Sequence, residues 1–242
     1  MSDSSESGSS ESFEERVADD ESTGFLAELT DDDGPVLVVF GGLNRTLGLG
    51  MPPFEFFRLL ENVDCGKLYV RDLDQVFYQH GVHGLGDSIP AVADSLREIL
   101  AGHRNVSFVG NSSGGFAALT LGALVGADRV VAFSPQTFLS RTLRWFHRDD
   151  RWPEEIGAMQ QLPNLGRRYL DVKRALKRDD GRTVYDVHYP KWNKLDSRHA
   201  LRLAGHPRLT LHANRSKRHG VIRDMRDDGR LKQLINELIE PH

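Results

Sequence analysis

Cysteine is nearly missing from this chain. Cys65 stands alone among 242 residues, which excludes an internal disulfide and a thiolate metal cluster. No apolar run approaches the roughly 18 residues of a membrane-spanning helix. The opening stretch, Met1 to Ser22, has neither the basic nor the apolar segment of a secretory signal. The expectation is therefore a cytoplasmic protein without a membrane span. Nucleotide signatures are missing too. There is no P-loop, and Gly41-Gly42-Leu43-Asn44-Arg45-Thr46-Leu47-Gly48 lacks the G-x-G-x-x-G spacing of a dinucleotide site.

Charge is present but unevenly spread. Residues 1–34 hold twelve acidic residues and one basic residue, Arg16, so they carry −11 against +7 for the remainder and −4 overall. A Ser/Glu/Asp-rich stretch has little to bury, so residues 1–23 are expected to be an acidic disordered tail and 24–242 a single domain. The tail reads either as a solubilising segment or as an electrostatic cover over the basic body.

The stretch that organises the rest is Val106 to Leu121, VSFVGNSSGGFAALTL. A short apolar run reads as a buried strand, and Phe116 to Leu121 is helix-compatible. Between them Gly110-Asn111-Ser112-Ser113-Gly114 is a G-x-S-x-G pentapeptide, which on a strand-to-helix turn lifts a serine above the sheet as a nucleophile. Glycines two before and two after the serine allow strand and helix to approach closely. Ser113 is the rival nucleophile, but Asn111 lies two before it, so the glycine frame centres on Ser112. The backbone N–H of Ser113 faces the same space and suits an oxyanion. The plain alternative is a glycine-rich turn of a doubly wound fold with no nucleophile.

Other elements follow from pattern. Phe25–Leu29 is an edge strand, Asp31–Pro35 a turn, and Val36–Phe40 a central parallel strand running into Gly41-Gly42-Leu43. Glycines there admit close backbone approach, so a second oxyanion donor is assigned to Leu43, with Gly42 the alternative. A helix is expected over Met51–Asn62, a strand over Lys67–Val70, and a helix over Ile89–Ala101 after Ser88. His80 and His83 are spaced H-x-x-H, but no carboxylate completes a metal set, so they read as polar loop residues. Arg129–Phe133 is the next strand. Residues 139–182 are basic and aromatic and read as a solvated lid. Their charge also raises nucleic acid, which the absence of any nucleic-acid motif disfavours. Thr183–Tyr189 and Leu209–Ala213 are the last strands, separated by a helix over Ser197–Ala204.

A serine needs a histidine to take its proton and a carboxylate to orient that histidine. Asp196 follows the late strand and His219 follows the last one, in the order Ser, Asp, His. Asp186, His188 and His212 lie inside strands, and His199 and His206 precede the last one.

From Val36 to the C-terminus the chain resembles a small bacterial member of the α/β-hydrolase superfamily. The likeness rests on Gly42-Leu43, Gly110 to Gly114, Asp196 and His219, with Asp72 and Gly84-Leu85-Gly86-Asp87-Ser88 similar to a stretched D-x-x-G-x-G-x-S loop. Phe133-Ser134-Pro135-Gln136 and Val187-His188-Tyr189, with Asn193 and Asp196, resemble bacterial α/β-hydrolases linked to surface-glycan or accessory-secretion systems. The chain departs from the wider family in lacking an obvious first hairpin before Val36 and in having Gly-Gly where His-Gly is common. The resemblance implies a mostly parallel, doubly wound α/β sheet. It also implies a cofactor-free serine hydrolase, acting on a small-molecule, acyl or glycan ester or thioester through an acyl-enzyme. The alternative is a non-catalytic binding module on the same fold, in which His219 does not reach Ser112 or the insert seals the site.

Overall fold

Alternation along Val36–Phe40 (β2) sets the layers of the molecule. Val36, Val38 and Phe40 enter one buried cluster, while Leu37 and Val39 enter the other. Side chains alternate across a strand, so a run apolar at every position belongs to a sheet covered on both faces. This computed structural model describes residues 23–30, 34–43 and 55–240. The acidic tail through Ser22, the Asp31–Asp33 turn and the opening of the helix expected from Met51 lie outside the described residues.

Among the described residues, seven strands form one sheet in the order β1-β3-β2-β4-β5-β6-β7. The others are β1 (Phe25–Glu28), β3 (Gly66–Val70), β4 (Val106–Asn111), β5 (Arg129–Phe133), β6 (Val184–Pro190) and β7 (Leu209–Asn214). Only β1 runs antiparallel, against β3; every other neighbouring pair is parallel. Phe25–Glu28 is thus the edge strand its sequence indicates, and it stands where a first hairpin was not obvious. The register sets Phe40 opposite Gly110, Asn111 opposite Phe133 and Phe133 opposite His188. The loops after β2, β4, β5 and β6 therefore open at one edge, the carboxyl end where open α/β sheets bind ligands.

Helices cover both faces. The Val36 side carries α2 (Ile89–Ile99) and α3 (Ser113–Val125). The Leu37 side carries α1 (Phe57–Leu60), α8 (Val221–Asp227) and α9 (Arg230–Ile239). The described part of the helix expected over Met51–Asn62 is a single turn, preceded by Phe56 in the left-handed region at φ 67°. Residues 113 to 123 of α3 are all buried, so its small, apolar sequence suits a helix enclosed on every side.

The 139–182 segment differs from the solvated lid expected. It folds as α4 (Arg141–His147), α5 (Pro153–Gln160), a 3-10 turn (Arg167–Leu170) and α6 (Val172–Leu176). Leu139, Met159, Val172, Ala175 and Leu176 are buried in the main core. Arg202 fastens the segment by donating from both Nη atoms to Asp171, each at 2.6 Å. Phe138 stacks on His147 at 4.7 Å and on His199 at 3.9 Å. The high arginine count misleads because Arg144 is buried and Arg151 is spent on buried carboxylates.

Candidate active site

Ser112 sits on the turn between β4 and α3 with φ 56° and ψ −114°, a strained backbone for a residue with a side chain. Close packing holds it there. A Cβ on Gly110 would lie 2.2 Å from the Gly114 carbonyl oxygen, and one on Gly114 would lie 2.1 Å from that of Phe40. The N–H of Ser112 donates to the Phe133 carbonyl at 2.9 Å, tying the turn to β5. Ser113, the rival, opens α3 with its hydroxyl wholly buried.

Asp196 and His219 converge on Ser112 from 84 and 107 positions away in the chain. His219 Nδ1 lies 2.9 Å from Asp196 Oδ2, and His219 Nε2 lies 2.9 Å from Ser112 Oγ. An ionised carboxylate only accepts, so Nδ1 carries the proton and Nε2 is left to accept from the serine hydroxyl. The His219 side chain is 31% exposed, while that of Asp196 is 1% exposed. Burial alone pushes the Asp196 carboxyl up. The hydrogen bond and charge of His219, together with Arg151, outweigh that and hold it below the usual carboxylate range. Ser134 Oγ donates to the His219 carbonyl at 2.5 Å, fixing the histidine's backbone to the end of β5.

Asp196 is not in a loop after β6. It lies in the first turn of α7 (Lys194–Leu201), which starts earlier than the Ser197 start expected. The cap is Asn193, whose Oδ1 accepts from the N–H groups of Leu195 and Asp196, each at 3.2 Å. Asp196 is thereby free to turn its carboxylate toward His219.

Gly42 lies against the serine turn: a Cβ on it would come 3.2 Å from the Asn111 carbonyl oxygen and 3.6 Å from Ser112 Cβ. The Gly42 N–H is taken: it donates to Glu55 Oε2 at 2.8 Å. Leu43 is half-buried and packs against the main core. Tyr78 Oη donates to the Gly41 carbonyl at 2.7 Å and so pins the start of this loop.

Several residues at the site carried no signal in the sequence. Glu55 Oε1 accepts from Asn111 Nδ2 at 2.8 Å, so one carboxylate bridges the β2 loop and the serine turn. Burial pushes its carboxyl up, against the Gly42 and Asn111 hydrogen bonds and the charge of His219. Gln136 was visible only as part of the strand-end phrase. Its Oε1 lies 3.2 Å from Ser112 Oγ, and its buried Nε2 has no hydrogen-bond partner among the described residues. Arg151 was one of eleven Lys/Arg residues in the insert, and nothing in its spacing points to Asp196.

The histidines set aside as rivals are elsewhere. His212 Nε2 pairs with Asp186 at 2.6 Å, and its ring stacks on His188 at 4.4 Å. Burial, with the neighbouring His212 charge, pushes the His188 ring down to about 4. His80 Nδ1 pairs with Asp74 at 2.7 Å. No helix among the described residues is long and apolar enough to cross a membrane.

No protein-family model and no curated protein matches the sequence. Solved structures do. The chain is similar to the glycosylation-associated protein (Gap123) complex of Streptococcus agalactiae, at 16% identity and TM-score 0.56, over 89% of this chain and 46% of that one. It thus spans less than half of that relative. The capsule O-acetyltransferase of Neisseria meningitidis serogroup A matches at 12% identity and TM-score 0.63, over 86% of this chain and 90% of that one. A fluorophosphonate-binding serine hydrolase of Staphylococcus aureus matches at 15% identity and TM-score 0.56, over 88% and 87%. With its sheet order, its strand-to-helix serine turn and these neighbours, the chain has the α/β-hydrolase fold.

Proposed function

We propose that this protein is a serine hydrolase or acyltransferase that cleaves a carboxylic ester or thioester through an acyl-enzyme. The observation that supports this most is the unbroken run from Ser112 Oγ through His219 to Asp196, with both contacts at 2.9 Å. Ser112 Oγ attacks the acyl carbonyl carbon while His219 Nε2 takes its proton. Asp196 stabilises the imidazolium so formed. The N–H groups of Ser113 and Leu43 receive the oxyanion. Collapse expels the alcohol or thiol, which leaves with the proton from His219. Water or another hydroxyl, deprotonated by the same histidine, then releases the acyl group from Ser112.

An O-acetyltransferase and a fluorophosphonate-binding hydrolase among the structural neighbours favour small acyl groups and leave both water and a sugar hydroxyl as acceptors. The binding-module reading rests on His219 out of reach of Ser112 or on a site sealed by the insert, and the 2.9 Å contact speaks against the first. The test is labelling of the purified protein with a fluorophosphonate probe. Wild type is expected to label and Ser112→Ala to lose labelling entirely, with His219→Ala slowed by on the order of 10⁴-fold or more. A folded wild type that does not label overturns the reading.

A further inference from the structure

We propose that Arg151 is a positioning residue of this site, holding the outer oxygen of Asp196 and joining it to a second, buried aspartate–histidine pair. The inference rests on the catalytic reading of Ser112, His219 and Asp196. Asp196 has two oxygens and His219 uses only Oδ2. Arg151 Nη1 donates to the other, Oδ1, at 2.7 Å. The same guanidinium grips Asp149 in a fork, with Nε on Oδ1 and Nη2 on Oδ2, each at 3.0 Å. Asp149 in turn faces His199 Nε2 at 2.8 Å. The Thr137 N–H donates to His199 Nδ1 at 2.9 Å, so Nδ1 is unprotonated and the neutral ring donates from Nε2.

The arrangement is built rather than incidental. Arg151 lies on a three-residue loop bracketed by two non-glycine residues in the left-handed region, Arg148 at φ 52° and Trp152 at φ 57°. Such conformations persist only when their surroundings over-determine them. The buried Arg144 guanidinium donates to the Arg151 carbonyl, and the Asp149 N–H donates to the Arg144 carbonyl at 2.9 Å. One planar cation spanning two carboxylates needs the fixed fork of arginine, which the point charge of lysine does not reproduce.

Two consequences follow for the reaction. The Asp196 carboxylate cannot swing away from His219 while Oδ1 is held. The cation also offsets part of the negative field that Asp196 exerts on the imidazole, while Asp149 offsets part of the cation. The groups facing His219 are Ser112 from the β4–α3 turn, Asp196 from α7 and the Glu55 charge ahead of α1. Removing the Arg151 charge leaves the imidazolium more favoured. Removing the Asp149 charge leaves it less favoured.

The test uses Arg151→Met, Arg151→Lys and Asp149→Asn in the full chain. The pH midpoint of the His219 ring signals is read by NMR, assigned by their loss in His219→Gln, beside the pH profile of fluorophosphonate labelling. Arg151→Met is expected to raise the midpoint, move the acid limb of labelling upward and slow labelling at neutral pH roughly 10–100-fold. Asp149→Asn is expected to move the midpoint the opposite way. Arg151→Lys is expected to keep the midpoint near wild type while recovering only part of the rate. If Arg151→Met does not fold, the lysine and asparagine variants carry the same signed comparison. Midpoints that stay put, or that move the same way in the charge-removing variants, overturn the inference. Opposite shifts in a protein whose wild type does not label uphold the positioning role and overturn the acyl-enzyme reading instead.

Discussion

Two aspartate–histidine pairs lie at the two ends of Arg151, and they differ in what each histidine has left to offer. In the Asp149–His199 pair both side chains are 1% exposed, and the free ring nitrogen already accepts from the Thr137 N–H. Phe138 stacks on the His199 ring at 3.9 Å and closes it in. In the Asp196–His219 pair the histidine is 31% exposed and its free nitrogen faces a serine hydroxyl. The chemistry of the two pairs is the same and their distances nearly so. What separates a structural pair from a candidate proton shuttle is the partner of the second nitrogen. A backbone N–H there consumes the basicity, whereas an activatable hydroxyl uses it.

The sharpest way to break this comparison is to exchange the acids. Asp196→Asn preserves shape but favours the wrong His219 tautomer, and labelling is expected to fall roughly 10³–10⁴-fold with the fold intact. An asparagine variant labelling within tenfold of wild type would show that His219 needs no carboxylate. The buried pair is tested with His199→Phe, which keeps the stacking but strands the Thr137 N–H and leaves Asp149 Oδ2 with Arg151 as its remaining partner. Unfolding in urea is expected to cost roughly 4 kcal/mol less, since two buried polar groups lose a partner. Labelling of the folded fraction is expected to stay within about tenfold of wild type. Abolished labelling with unchanged stability would reverse the two roles.

How much of this was legible beforehand follows from where each signal resides. The unbroken apolar run of Val36–Phe40 and the G-x-S-x-G stretch are local, and local signals placed β2, β4, α3 and the serine turn correctly. The order of Ser112, Asp196 and His219 comes from the α/β-hydrolase pattern, and the apolar runs supply only the strands after which the acid and the histidine are sought. The start of α7 was missed because Asn193, an N-cap residue, was read as part of a loop. Arg151 and Glu55 were not legible at all. Their partners lie 45 and 56 residues away, at Asp196 and Asn111, and no spacing rule connects a residue of an insert to the carboxylate it neutralises. The insert's charge was visible, but not that this charge is turned inward.

A third buried acid sharpens the contrast because its carboxyl is held by backbone N–H groups rather than by a cation. Asp72 is 3% exposed and accepts from the Tyr78 N–H at 2.9 Å. Burial pushes its carboxyl up to about 6, against the pull of backbone N–H groups, whereas Asp196 beside Arg151 is held down. The sign of its effect on stability is therefore opposite to that of a salt-bridged aspartate. A carboxyl whose folded value lies above its unfolded value binds its proton more tightly in the fold. Its contribution is complete below about pH 4 and is lost as pH rises through about 6. A two-unit gap corresponds to about 3 kcal/mol at most. In Asp72→Asn the site no longer titrates. The difference in unfolding free energy between variant and wild type is expected to shift in the variant's favour by about 2–3 kcal/mol between pH 4 and pH 7. Urea unfolding at pH 4, 5, 6 and 7 measures that difference, with all other titrations common to both proteins. A flat difference would mean that the backbone N–H groups around Asp72 stabilise its charge as fully as Arg151 stabilises that of Asp196. The distinction between hydrogen-bonded and ion-paired carboxylates in this molecule would then vanish.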